Sequence, residues 1–103
     1  MPTYLIANRP RKNSAPSENA MAEWNAWFDA LGVNLVDRGN PAFTRRTVGN
    51  TGADTVLGGY TLVKADDLAG AVALAKGCPV LKEDGGVEVA ELTLLNDGLR
   101  PRT

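Results

Sequence analysis

The chain has 103 residues, of which 11 are basic and 12 are acidic, a length that allows one domain with one modest core. The near-neutral charge gives no reason to expect a nucleic acid or an anionic membrane as a partner. One cysteine excludes an internal disulfide, and the absence of histidine excludes Ser-His and Cys-His nucleophile pairs and histidine metal sites, so we expect neither a metal nor a cofactor.

The first third of the chain predicts a strand followed by a helix. Residues 3–7, TYLIA, are short and apolar and predict a strand. The segment NRPRKNSAPSE carries two prolines and predicts a mobile loop. Ser17 is the expected N-cap of a helix that runs to about Leu31, where Gly32 ends it. The helix spacing predicts one buried face made of Met21, Trp24, Phe28 and Leu31, with Trp27 beside it.

The middle of the chain predicts an antiparallel hairpin. VNLVDRGNPA is interpreted as a connector with a turn at Gly39-Asn40-Pro41. Residues 43–49 and 58–65 are the expected strands, and they are joined across the Asn- and Gly-rich segment NTGADTVL.

A second helix and a last strand complete the pattern. Asp66 or Asp67 is the expected N-cap, and Gly77 with Pro79 ends the helix. Residues 87–95 predict the last strand, which closes a single domain over 1–95, and 96–103 predict a loose tail. The helix spacing predicts one buried face made of Leu68, Val72 and Ala75.

The order strand, helix, strand, strand, helix, strand is that of an α+β, ferredoxin-like βαββαβ domain, with two helices on one face of a four-stranded antiparallel sheet. Alternate residues of a strand point to opposite faces of the sheet, and in these strands the residues on both faces are largely apolar. Two helices cover one face, so the other would be an exposed apolar patch, which monomers rarely have. We therefore expect a homodimer that packs sheet to sheet.

Four segments of the chain, MAEWNAWFDALG, LVDRGNP, GGYTLVKADDLAGAVALAKGCP and GGVEVAELTLL, together resemble the YCII-related family, which includes the DGPF-type domains. The resemblance spans about residues 3–95, and its most specific part is the run at 59–79. It implies the dimeric α+β barrel, in which two ferredoxin-like units pack sheet to sheet.

The resemblance also implies chemistry that this chain lacks. Some relatives resemble dehydrochlorinases or other small-molecule enzymes that use a histidine on the first helix and an aspartate before a proline after the second helix. Here those positions correspond to about Ala20 or Met21 and to Cys78, followed by Pro79. Neither acid–base group is present, so the resemblance supports the fold and the dimer but not that reaction.

Six residues are the candidate lining of a small-molecule pocket between the helices and the sheet, near the Asn40-Pro41 turn and the Cys78-Pro79 corner. Five of them have a plain structural interpretation as well: a core position for Trp24, a half-buried one for Trp27, a turn for Asn40, a small buried side chain for Cys78, and a solvated or interface-paired carboxylate for Glu88. Glu88 and Glu91 lie on opposite faces of the last strand, so one of them is expected to point inward. The loop at 9–16 could form a lid, with arginines that attract an anion. The candidates are Trp24, Trp27, Asn40, Tyr60, Cys78 and Glu88.

Two functions remain open. The first is a small homodimer that binds a small molecule without catalysis, and the absence of histidine favours it. The alternative is an isomerase or lyase that uses Glu88 or Glu91 as its general base. The opening MPTYLIANRP reaches polar residues at once and no apolar run approaches the length of a membrane span, so we expect a cytoplasmic location.

Overall fold

The computed structural model describes residues 1–52 and 54–93. These residues confirm the predicted α+β ferredoxin-like fold, with strand, helix, strand, strand, helix and strand in that order. The elements are strand β1 (Thr3–Arg9), helix α1 (Ala20–Leu31), strand β2 (Leu35–Asp37), strand β3 (Gly59–Lys64), helix α2 (Leu68–Ala75) and strand β4 (Gly86–Glu91), with 3-10 turns at Gly32–Asn34 and Pro79–Glu83.

The strands form one antiparallel sheet in the order β2-β3-β1-β4. The central strand β1 pairs with β3 on one side, where Leu5 lies opposite Leu62, and with β4 on the other side, where Leu5 lies opposite Ala90. Side chains alternate between the two faces of a strand, so β1 contributes to both faces of the sheet.

One face of the sheet carries the core. Tyr4, Ile6 and Val63 are almost completely buried there. Both helices pack on this face through a set of buried side chains that comprises Trp27, Leu31, Ala71 and Ala75. The buried hydroxyl of Thr61 donates to the main-chain oxygen of Arg38 at 3.2 Å, so this polar side chain does not lose its hydrogen bond on burial.

Helix α1 starts later than predicted and turns a different side chain inward. The cap expected at Ser17 is wrong, because the helix begins at Ala20 and the Ser17 hydroxyl instead donates to the Glu23 carboxylate at 3.1 Å. Trp27 is only 5% exposed, whereas Met21, predicted to be buried, is 77% exposed. The predicted end is confirmed: the helix stops at Leu31 and is followed by Gly32 with φ +55°.

The predicted N-cap of helix α2 is confirmed, but of its predicted buried face only Ala75 is buried. The Asp67 carboxylate accepts from the Gly70 N–H at 2.8 Å. Ala71 and Ala75 are buried, whereas Leu68 is 51% exposed and Val72 is exposed as well. The eight residues of this helix, LAGAVALA, are all apolar or glycine, so their spacing does not distinguish one face from another. The small side chains of these two alanines let α2 approach the sheet closely.

The second strand lies where the connector was predicted. Leu35 pairs with Val63, so β2 occupies the outer edge of β3, and a bulge follows before Asp37. The strand predicted at residues 43–49 is wrong, because these residues do not form one. The predicted hairpin would place them beside β3, and that position is already occupied by β2. The segment is instead anchored at its base by the Ala42 N–H, which donates to the Gly58 carbonyl at 3.0 Å.

Strand β4 ends at Glu91, so it is shorter than the predicted 87–95. Residues 94 and 95 and the predicted tail at 96–103 lie outside the described residues. In the part of the chain that the structure describes, no helix is both long and apolar enough to cross a membrane.

The second face of the sheet, called here the open face, lies opposite the two helices. By register and burial pattern it carries the side chains that alternate with the core positions of β1, β3 and β4. Its centre is apolar, and a lysine and a glutamate lie at its borders. The open face comprises Leu5, Ala7, Tyr60, Leu62 and Ala90, with Lys64 and Glu88 at its borders.

Candidate functional site

Three of the six candidate residues belong to the helix-covered core. The rings of Trp24 and Trp27 meet edge to face with their centroids 5.6 Å apart, and Phe28 lies 5.5 Å from Trp27. The Trp27 indole N–H donates to the main-chain oxygen of Leu74 at 3.0 Å. A Cβ at Gly77 would come within 2.9 Å of this indole, so a glycine there lets Trp27 reach α2. Trp27 is thus the core tryptophan and Trp24 the half-buried one, the reverse of the expected assignment.

Cys78, the third of these residues, is 2% exposed and lies between α2 and the 3-10 turn that Pro79 begins. Burial raises the pKa of the Cys78 thiol to about 11, and a backbone hydrogen bond at Val80 opposes this only in part. Burial is the main cause because it disfavours the charged thiolate. A protonated, buried thiol is a poor nucleophile, so Cys78 serves here as a small core side chain.

Asn40 and Tyr60 meet at one border of the open face. The Asn40 side-chain amide donates to the Tyr60 hydroxyl at 3.2 Å. The backbone conformation brings them together, because Gly39 has φ +75° and a Cβ on it would overlap the main-chain oxygen of Tyr60. Pro41 forms a bridge with Gly59, the residue before Tyr60. The Gly39-Asn40-Pro41 turn is therefore packed directly on the beginning of β3. Since the Tyr60 oxygen accepts from Asn40, the phenolic proton can be donated outward.

The two glutamates of β4 lie on opposite faces, as the sequence predicted. Glu88 is opposite Ala7, and Ala7 is opposite Tyr60, so Tyr60, Ala7 and Glu88 form a row across three strands of the open face. Glu91 lies opposite Tyr4, whose hydroxyl is 3.3 Å from the Glu91 carboxylate. Glu88 is therefore the strand carboxylate that faces the same surface as Asn40 and Tyr60.

The sheet separates the six candidates into two sets. Trp24, Trp27 and Cys78 lie on the helix-covered side, and Asn40, Tyr60 and Glu88 lie on the open face. The set on the helix side is packed and mainly apolar. The set on the open face presents a phenol, an amide and a carboxylate beside apolar surface, which is the composition of a small-molecule site.

The arginines of the predicted lid have partners in the chain. Arg9 belongs to β1, and its guanidinium donates to the Thr55 hydroxyl at 3.1 Å and to the Thr51 carbonyl at 3.5 Å. Arg11 forms an ion pair with Asp84 at 2.9 Å. These bonds join the end of β1 to the β2–β3 connection, and the segment after β1 to the turn before β4.

One feature next to α1 was not indicated by the sequence. A shallow depression of about 440 Å³ is lined by Asn25, Phe28, Asp29, Leu35 and Arg38. The Arg38 guanidinium stacks 4.6 Å from the centre of the Phe28 ring and donates to the Asn25 side chain at 2.7 Å. Arg38 lies in the segment interpreted as a connector, where no local pattern distinguishes a stacking arginine from a solvated one.

Within residues 1–52 and 54–93, no three side chains of the Cys, Asp and Glu types lie close enough together to hold a metal ion. The model of the YCII-related domain family matches residues 3–96. Neither the curated proteins nor the solved structures gave a match to this chain.

Proposed function

The chain belongs to the YCII-related family, and from that premise we propose that it functions as a homodimer that binds a small molecule at its open face. Binding is favoured over catalysis. The observation that carries this proposal is the row of Tyr60, Ala7 and Glu88 across an apolar sheet face, with Asn40 bonded to the Tyr60 hydroxyl.

The apolar centre of the open face supports the dimer. Leu5 lies between Leu62 and Ala90 on neighbouring strands, and Ala7 lies between Tyr60 and Glu88. Both described helices pack on the other face, so neither of them covers these side chains. A second copy of the same sheet buries both patches at once, and the apolar area removed from water is the driving force.

The border of the open face supports the ligand site. The Tyr60 hydroxyl has a proton to donate outward, and the Glu88 carboxylate is an acceptor on the same face. The small Ala7 side chain between them leaves room above the sheet. A second sheet placed about 10 Å above this row would close it into a pocket. The ligand class that fits is a small molecule with an acceptor for the phenol and a donor for the carboxylate.

The alternative is an isomerase or lyase in which Glu88 is the general base. Glu88 is a better candidate base than Glu91 because it shares the open face with Tyr60, on the far side of Ala7. The Tyr60 hydroxyl could polarise a carbonyl of a substrate by donating its proton. The chain contains no histidine that could act as a second acid or base. Binding and catalysis therefore use the same polar residues, Asn40, Tyr60 and Glu88, and differ only in whether Glu88 removes a proton.

The dimer is tested by light scattering at micromolar concentration. We expect twice the chain mass of 10.9 kDa for the wild type. Leu62→Asp places a charge at the centre of the open face and should give monomer or aggregate. Met21→Asp places the same charge on an exposed position of α1 and should remain dimeric. A wild-type mass of one chain would refute the dimer.

The ligand site is tested by incubating the protein with a metabolite extract and identifying retained compounds by mass spectrometry. We expect a compound that the wild type retains and that Tyr60→Phe and Glu88→Gln retain at least tenfold less. If a compound is instead converted to an isomer or elimination product, and Glu88→Gln binds it without converting it, the enzymatic alternative is correct. A cytoplasmic location remains a prediction of the sequence.

A further inference from the structure

Two opposite charges lie symmetrically about the apolar centre of the open face. Leu5, on the central strand, has Leu62 beside it on β3 and Ala90 beside it on β4. Lys64 is two residues from Leu62, towards the Thr3 end of β1, and Glu88 is two residues from Ala90, towards the Ala7 end. Leu5 is therefore the midpoint between the lysine and the glutamate.

These two charges cannot satisfy each other within one chain. Two strand spacings and four residues along the strand separate them by about 16 Å. Both residues are exposed, and neither side chain has a hydrogen bond or an ion pair among residues 1–52 and 54–93. Arg9, the cation diagonal to Glu88 in the β1–β4 register, directs its guanidinium to Thr55 and Thr51 instead.

We propose that in the homodimer each Glu88 forms an ion pair with Lys64 of the partner subunit, so that each ligand site contains a residue from both copies. A two-fold axis that lies between the sheets and passes over Leu5, perpendicular to the line from Lys64 to Glu88, exchanges these two positions. The same operation places Leu5 against Leu5 of the partner subunit. One symmetry operator therefore pairs both charges and buries both apolar centres.

The physical reason for this pairing is the cost of covering a charge. A second sheet removes water from Glu88, and a carboxylate that loses its water without gaining a partner opposes association. The ammonium group of Lys64 from the partner subunit compensates that loss twice in each dimer. This inference depends on the proposed dimer. It also favours binding over catalysis, because a carboxylate held by an ammonium group is a poorer base.

Charge reversal tests the pairing. Lys64→Glu places two glutamates face to face twice in each dimer, and Glu88→Lys does the same with lysines. We expect each single variant to raise the dimer dissociation constant at least tenfold in sedimentation equilibrium at low salt, about 1.4 kcal/mol. The double variant Lys64→Glu/Glu88→Lys restores both pairs and should return to within about threefold of the wild type. Lys76→Glu, at the exposed residue that follows α2, is the matched control and should leave the constant unchanged.

Mixing the two single variants gives the sharper result. In a heterodimer of Lys64→Glu with Glu88→Lys both contacts are attractive, so the mixture should dimerise although neither variant does so alone at the same concentration. Misfolding of either variant cannot produce this recovery. If the wild type is a monomer, the proposed function fails together with this inference. If the wild type is a dimer but the single variants are unimpaired, or the mixture shows no recovery, the pairing alone is refuted.

Discussion

The indole N–H of Trp27 donates to the main-chain oxygen of Leu74 at 3.0 Å and so joins α1 to α2. This bond accounts for the burial of Trp27 rather than its neighbour Trp24 in α1. Buried tryptophan needs a partner for its N–H, and the C-terminal turn of α2 supplies a carbonyl. The two helices are thereby held together on the sheet, and the indole contributes to the apolar core at the same time.

Trp27→Phe should lower the free energy of unfolding by about 1–2 kcal/mol, because the hydrogen bond and part of the packing are lost. Urea denaturation followed by circular dichroism measures this. Trp24→Phe is the same chemical change at a half-buried ring and should lower the free energy of unfolding by about 0.5 kcal/mol or less. Equal losses for the two variants would contradict the assignment of Trp27 as the anchoring residue.

Local signals in the sequence predicted the element order and several element ends. Asp67 and Gly32 act through bonds and dihedral angles within their own turns; Gly32 was identified, and Asp67 was one of the two expected caps. The pairing of strands that are distant in the sequence could not be predicted from such local signals. Strand β2 was missed because three residues, Leu35–Asp37, carry little pattern of their own and become a strand by pairing with β3.

The candidate site shows the same limit. Asn40 and Tyr60 were both named from the sequence, but with a pocket on the helix side. A shift of one residue in a strand reverses every side chain, so the face that Tyr60 occupies depends on its pairing with Ala7. That register depends on contacts between strands more than fifty residues apart, which no local pattern encodes.

Gly39 and Gly49 offer a matched pair of substitutions. Their φ angles are +75° and +76°, so alanine is strained to the same degree at both, by about 1 kcal/mol. A Cβ at Gly49 meets nothing within 4 Å, whereas at Gly39 it overlaps the main-chain oxygen of Tyr60. Gly39→Ala should therefore cost about 1–3 kcal/mol more than Gly49→Ala. Equal losses of unfolding free energy would show that the turn can move away from β3 without penalty.

Asp66 and Asp67 are adjacent aspartates of which one caps α2. Asp67→Ala removes the acceptor for the Gly70 N–H and should cost about 1 kcal/mol. Asp66→Ala removes a carboxylate with no cap bond and should cost less than about 0.5 kcal/mol. Asp67→Asn keeps an acceptor oxygen at the cap and should recover most of the loss. Chemical denaturation at pH 7 distinguishes the three variants, and a larger loss at Asp66 would contradict the cap.

The last prediction concerns the pH dependence of stability at Cys78. Burial raises the pKa of this thiol from its usual value of 9.0 to about 11. The folded state thus retains the thiol proton at pH values where the unfolded chain releases it. The stabilisation from this proton is fully present below pH 9 and is lost as the pH rises from 9 towards 11. Lysines and tyrosines titrate in the same range, so wild type must be compared with Cys78→Ala, which lacks only the thiol.

The free energy of unfolding of wild type minus that of Cys78→Ala, measured by urea denaturation, should be constant from pH 7 to 8.5. It should decrease between pH 9 and 10.5. The alanine variant loses packing at every pH, and that loss does not depend on pH, so the slope reports the thiol alone. Alkylation by iodoacetamide at pH 8 should accordingly be slower in the folded protein than in urea, because the buried group is both protonated and covered. A difference that stays constant to pH 10.5, or a folded thiol that reacts as fast as the unfolded one, would contradict the burial of a protonated thiol at Cys78.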